Sequence, residues 1–123
     1  MMTEVNDAMS ERIRTEMHDL LADQRAQVEE QIVALTRSFD DIVEAVEVTN
    51  NDDEHDPEGT TIAFERAQII ALLNQAKADL EALDEAIGRL SDGRYGVCEL
   101  CEGPIAVERL QAIPATTRCI ACA

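Results

Sequence analysis

The chain has 123 residues and carries 26 acidic against 10 basic side chains, a formal net charge of −16. A surface so negative is poorly matched to the phosphate backbone, so direct sequence-specific DNA binding is not expected; the partner it suits is a basic protein surface. No segment approaches the roughly 20 apolar residues that span a bilayer, so no membrane association is predicted.

The aromatic residues are Phe39, Phe64 and Tyr95, with no tryptophan, and alanine, leucine, isoleucine and valine are plentiful alongside acidic side chains. This composition suits long helices rather than a thick globular core. The start, Met1-Met2-Thr3-Glu4-Val5-Asn6-Asp7, lacks the basic and apolar stretches of a secretion signal, so a reducing cytoplasm is predicted. The charge is uneven: residues 1–88 hold 22 acidic and six basic side chains, and residues 89–123 hold four of each.

From about Glu11 to Val48 the apolar positions follow a helical period, and Val28, Ile32, Leu35, Phe39, Ile42 and Val46 step by four and three in a heptad seam. Upstream, Ile13, Met17, Leu20 and Leu21 shift phase, and Gln24, Arg25 and Gln27 interrupt the stripe. Looser pairing is predicted there, with either a continuous helix or a break near Gln24.

Residues 49–60 read as a polar turn, in which Pro57 and Gly59 disfavour continuous helix. Thr60 or Thr61 is then the candidate cap of a second helix, with Glu65 in its first turns. That helix carries its own heptad seam, Ile69, Leu73, Ala76, Leu80, Leu83, Ile87 and Leu90, and Ser91-Asp92-Gly93 supplies a stop. Two seamed helices joined by a short turn predict an antiparallel coiled-coil hairpin. The charge peaks at its tip: Asp40 to Glu58 contains nine acidic residues, and no lysine or arginine occurs between Arg37 and Arg66. Composition alone reads such a run as a solvated loop.

After the hairpin, Cys98/Cys101 and Cys119/Cys122 form two CxxC pairs separated by 17 residues, and no other cysteine is present. A zinc ion takes four soft ligands at the corners of a tetrahedron, and two such pairs supply them from opposite sides. No thioredoxin-like βαβ pattern surrounds either pair, which argues against a redox role. With every position filled by cysteine there is no opening for a bound water, so one structural Zn²⁺ and no catalysis are predicted. Gly93 and Gly96 allow tight turns before the first pair, and the segment from Gly103 to Pro114 predicts a turn and a short helix in which Ile105 and Leu110 pack under the metal. Arg89, Arg94, Arg109 and Arg118 lie in or near this module, either balancing the thiolates or facing a partner. The fold class that emerges is all-α dominated: a hairpin region over residues 1–92 and a four-cysteine zinc-finger module over residues 93–123.

The stretch Gly93-Arg94-Tyr95-Gly96-Val97-Cys98-Glu99-Leu100-Cys101, with Pro104-Ile105, Arg109-Leu110, Ala112, Pro114 and Cys119-Ile120-Ala121-Cys122, strongly resembles the DksA/TraR C4-type zinc-finger proteins. The resemblance is specific over residues 93–122 and looser over the hairpin. It implies a non-enzymatic transcription regulator that binds bacterial RNA polymerase and inserts the hairpin tip in the secondary channel. The carboxylates expected at that tip are Asp52, Asp53, Glu54, Asp56 and Glu58, which can pair with basic channel residues or approach the catalytic Mg²⁺. Some members act in synergy with the alarmone ppGpp, but the motif locates no binding residues for it here.

Three departures stand out. The usual tip has an aspartate, two residues, a second aspartate, one residue and an alanine, whereas this chain reads Asp56-Pro57-Glu58-Gly59-Thr60-Thr61, keeping only the first aspartate. Glu102 stands where a glycine is usual, and Gly103 is expected to take over the turn. The sequence stops at Ala123, whereas a further helix in the family contributes to polymerase contact, which implies a weaker or differently placed docking contact. The alternative reading is a zinc-stapled acidic coiled-coil adaptor or dimerisation protein without polymerase activity. An enzymatic reading lacks a nucleophile, a phosphate loop or an open metal site.

Overall fold

The computed structural model describes residues 10–49 and 57–123. It contains α1 (Glu11–Thr49), α2 (Pro57–Asp92) and the short α3 (Val107–Ala112). Among the described residues there is no strand, only a single antiparallel bridge between Val97 and Pro104.

Helix α1 begins where Ser10 supplies its cap: the Ile13 backbone N–H donates to Ser10 Oγ at 3.3 Å and the Arg14 N–H to the Ser10 carbonyl at 2.9 Å. It runs for 39 residues with no break at Gln24. The interior holds neither proline nor glycine, so nothing in the backbone forces an interruption.

Helix α2 starts earlier than the sequence suggested. Its first residue is Pro57, so Thr60 and Thr61 lie inside the helix and neither is the cap. Proline suits a first helical position because the N–H it lacks has no intrahelical acceptor there, and its fixed φ is already helical. The other end falls at the predicted stop. Gly93, at φ 78°, closes α2 in a Schellman turn: its N–H reaches the Leu90 carbonyl at 3.4 Å, while the Arg94 N–H reaches the Arg89 carbonyl at 2.9 Å.

The chain divides into two compact units. One comprises Gln27–Asp79, with the C-terminal part of α1 and the N-terminal part of α2. There Val28, Ile32, Leu35, Phe39 and Ile42 on α1 and Ile62, Ile69 and Leu73 on α2 are half-buried, Ala76 is buried, and the positions between them are mostly exposed. Two helices alone cannot enclose a seam, which is why nearly all these residues keep some solvent contact.

The other unit joins residues up to Ala26 with Leu80 onward. It holds nearly all of the buried apolar side chains: Met17, Leu21, Leu83, Ala86, Leu90, Tyr95, Ile105 and Leu110. Looser pairing around Met17 and Leu21 is therefore not what the fold shows, since both are 0% exposed. The phase shift turns these residues toward a core shared by α1, α2 and the finger, where three elements instead of one provide cover. Gln111 Nε2 on α3 donates to Glu16 Oε1 on α1 at 3.4 Å, tying the finger to the helix. The polar interruption is equally accounted for: Arg25 donates to Asp84 across the two helices, and the carboxylate holds the arginine pKa above its ordinary value.

Leu21→Ala should therefore cost about 3 kcal/mol in a chemical denaturation experiment, as expected for a fully enclosed leucine, whereas Val33→Ala, at a site 53% exposed, should change stability by less than about 1 kcal/mol. Equal effects would contradict this division of the core.

Candidate metal centre

The first CxxC pair is shaped by the turn that follows α2. Gly96 adopts φ 84°, a conformation unfavourable for any side chain with a Cβ, and its carbonyl accepts the Ile105 N–H at 2.8 Å. The Cys98 N–H then donates to the Gly103 carbonyl at 2.8 Å, and the Glu102 N–H returns to the Cys98 carbonyl at 3.0 Å. This ladder folds Cys98–Gly103 into a knuckle that aims both sulfurs to one side.

Within the knuckle, Glu102 takes φ 61°. The expectation that Gly103 would assume the left-handed turn is thus overturned: the glutamate adopts that conformation itself. Gly103 has a different duty. A Cβ there would lie 3.3 Å from Cys101 Sγ, and its N–H donates to that sulfur at 3.4 Å, so it allows backbone to approach the thiolate.

The second pair is registered against the first by the Glu99 N–H, which donates to the Thr117 carbonyl at 2.9 Å. Arg109 Nε donates to the Arg118 carbonyl at 2.9 Å, and Arg118 Nε pairs with Glu99 at 3.0 Å, which holds that carboxyl below its ordinary range. Arg118 thus ties the approach to Cys119 back to the first knuckle. Arg94 pairs with Asp92 at 3.0 Å, and Arg89 Nη2 is buried without a hydrogen-bond partner. Beneath the site, the buried Tyr95 hydroxyl donates to the Pro114 carbonyl at 2.7 Å, and burial raises its pKa to about 12. The contacts of Tyr95, Arg109 and Arg118 span 9 to 19 residues and leave no periodic trace in the sequence.

All four sulfurs, of Cys98, Cys101, Cys119 and Cys122, lie within 4.8 Å of one another, and Cys101 Sγ is 3.7 Å from Cys119 Sγ. A tetrahedron with metal–sulfur bonds of about 2.3 Å has edges of about 3.8 Å, whereas a disulfide requires about 2.05 Å. The set fits zinc and not a disulfide. Its acid–base chemistry points the same way. N–H groups of Cys101 and then Cys119 pull the Cys98 thiol down to about 6. The Gly103 N–H pulls Cys101 down, yet the sulfurs of Cys119 and Cys98 outweigh it and raise that thiol; Cys119, Cys98 and Cys101 push Cys122 up to about 12. With Cys98 ionised, its sulfur helps hold the protons on Cys101 and Cys122, and a cation among the sulfurs favours their ionisation. The module is a four-cysteine site for one structural zinc.

Known proteins agree. Residues 93–123 match the family described as the prokaryotic dksA/traR C4-type zinc finger, and that segment is such a finger. The chain as a whole is similar to the solved structure of transcription factor DksA2 from Pseudomonas aeruginosa, with a TM-score of 0.79, 27% identity, and coverage of 94% of this chain and 84% of that one. Among curated proteins it is 32% identical over 71 residues to general stress protein 16O of Bacillus subtilis, 58% of this chain and 44% of that protein. It is also 42% identical over 52 residues to a protein of Aquifex aeolicus, 42% of this chain and 36% of that one. The chain spans less than half the length of these curated relatives.

The other predicted site is the hairpin tip. Asp52, Asp53, Glu54 and Asp56 lie outside the described residues, and Glu58 is the second residue of α2. Among the described residues no helix is long and apolar enough to cross a membrane.

Zinc analysis should return one metal per chain, and Cys98→Ser should lower zinc affinity at least about tenfold in a competition with a chromophoric chelator. Full retention by that variant would exclude a four-sulfur site. Glu102→Gly should stabilise the zinc-loaded protein by about 1 kcal/mol, read as a higher thermal midpoint, because glycine carries no left-handed penalty. A lower midpoint would show that the glutamate side chain contributes more than its backbone costs.

Proposed function

We propose that this chain is a non-enzymatic transcription regulator of the DksA type that binds bacterial RNA polymerase and modulates initiation. The observation that carries the reading is the likeness to transcription factor DksA2 over 94% of this chain, joined to a finger of the same family. A two-helix seam with the acidic segment between its helices is the element that such a protein would insert in the secondary channel, and the zinc module would hold the helix ends in one rigid unit. The carboxylates of Asp52, Asp53, Glu54, Asp56 and Glu58 would engage basic channel residues or the hard catalytic Mg²⁺, which prefers oxygen ligands. The cell compartment this requires is the cytoplasm.

Affinity capture of core polymerase by the zinc-loaded protein tests the partner. Binding should be strong at low salt and weaker at physiological salt, because a protein of charge −16 meets a basic surface. Absence of binding at both salt concentrations would remove the proposal. The tip is tested separately by the combined variant Asp52→Asn, Asp53→Asn, Glu54→Gln, Asp56→Asn and Glu58→Gln in a promoter-dependent transcription assay. It should keep its zinc and helix content and lose its effect on initiation; an undiminished effect would place the working residues elsewhere.

A further inference from the structure

The unit that contains the finger has a second concave feature, distant in kind from the metal site. A cleft of about 560 Å³ is lined by Arg14, Thr15 and His18 from α1 and by Ile87, Leu90 and Ser91 from α2. Its floor is apolar: Leu90 is buried and Ile87 half-buried. Its rim is polar and cationic, which is unusual on a chain with 26 acidic side chains.

The cation at the rim is available. Among the described residues, Arg25, Arg94 and Arg118 are each paired with a carboxylate, of Asp84, Asp92 and Glu99 respectively, whereas the Arg14 guanidinium has no such partner. Asp92 faces Arg94, and Asp19 Oδ1 lies 3.4 Å from His18 Nδ1, so the second ring nitrogen of His18 is free of that contact. Thr15 Oγ1 already donates to the Glu11 carbonyl at 2.9 Å, which leaves Arg14, His18 and the Ser91 hydroxyl as the donors the cleft can offer.

We propose that this cleft is a binding site for a small organic anion with an apolar body, its phosphate, sulfonate or carboxylate head held by Arg14 with His18 and Ser91. Guanidinium recognises such heads through paired, charge-assisted hydrogen bonds, and the Ile87/Leu90 floor takes the hydrophobic part. Both halves are needed: an exposed arginine alone holds an anion weakly, and a shallow apolar floor alone gives little affinity.

The test is an amide-resolved NMR titration of the full zinc-loaded chain with phenyl phosphate, inorganic phosphate and benzyl alcohol in parallel. Phenyl phosphate should give saturable shifts at Thr15, His18, Ile87 and Ser91 with a Kd of about 1 mM or tighter, and each half-ligand should bind at least about tenfold more weakly. Arg14→Ala, an exposed change, should weaken phenyl phosphate at least about tenfold while zinc content and the remaining spectrum stay unchanged; Arg14→Lys should recover part of the loss. Unsaturable shifts, shifts elsewhere, equal binding of inorganic phosphate, or indifference to Arg14→Ala would each overturn the proposal.

Discussion

Four cysteine sulfurs held within 4.8 Å of one another make a site for one dication, and the finger is built around bringing them together. The knuckle ladder from Gly96 to Ile105, the close approach of Gly103 to Cys101 and the left-handed Glu102 all serve to bring the sulfurs into that set. Around it, Tyr95, Ile105 and Leu110 are buried with Met17, Leu21, Leu83 and Leu90, so the metal and the apolar core stabilise the same unit. A module of about 30 residues is too small to bury much apolar surface alone, and the metal and the helix ends together supply what it lacks.

The two units differ in what holds them. Around the finger, three elements enclose side chains completely, and polar groups add registration through Arg25–Asp84, Glu16–Gln111 and Arg118–Glu99. In Gln27–Asp79 a single seam of half-buried residues joins two helices, with acidic groups along the outside. Such a layer is stabilised mainly by area removed from water along the seam, and like charges outside it favour separation at low ionic strength.

Much of this was legible from local pattern. The two heptad seams, the stop at Gly93 and the four ligands follow from residue spacing, because helix period, glycine conformational freedom and metal geometry are local rules. The start of α2 is not legible locally, because Pro57 reads either as a breaker or as a first helical residue, and only the surrounding helix distinguishes the two. Glu102 and Gly103 are adjacent local solutions for the same turn; Glu102 takes it, and Gly103 lets its backbone approach Cys101 Sγ. The looseness expected near Met17 reflected a seam judged against one partner helix, when the finger supplies the rest of the cover.

By itself, the sequence determined the helices, their mutual seam, the identity of the metal ligands and the placement of negative charge, all of which depend on neighbours within a few turns of chain. The tertiary structure decided which residues form a closed core, how the two CxxC pairs are registered through Glu99, Thr117 and Arg118, and that Arg14 and His18 share a cleft with Ile87, Leu90 and Ser91. Such meetings join residues as far apart in the chain as Glu16 and Gln111, 95 positions, and no periodicity records a contact made by the return of a hairpin.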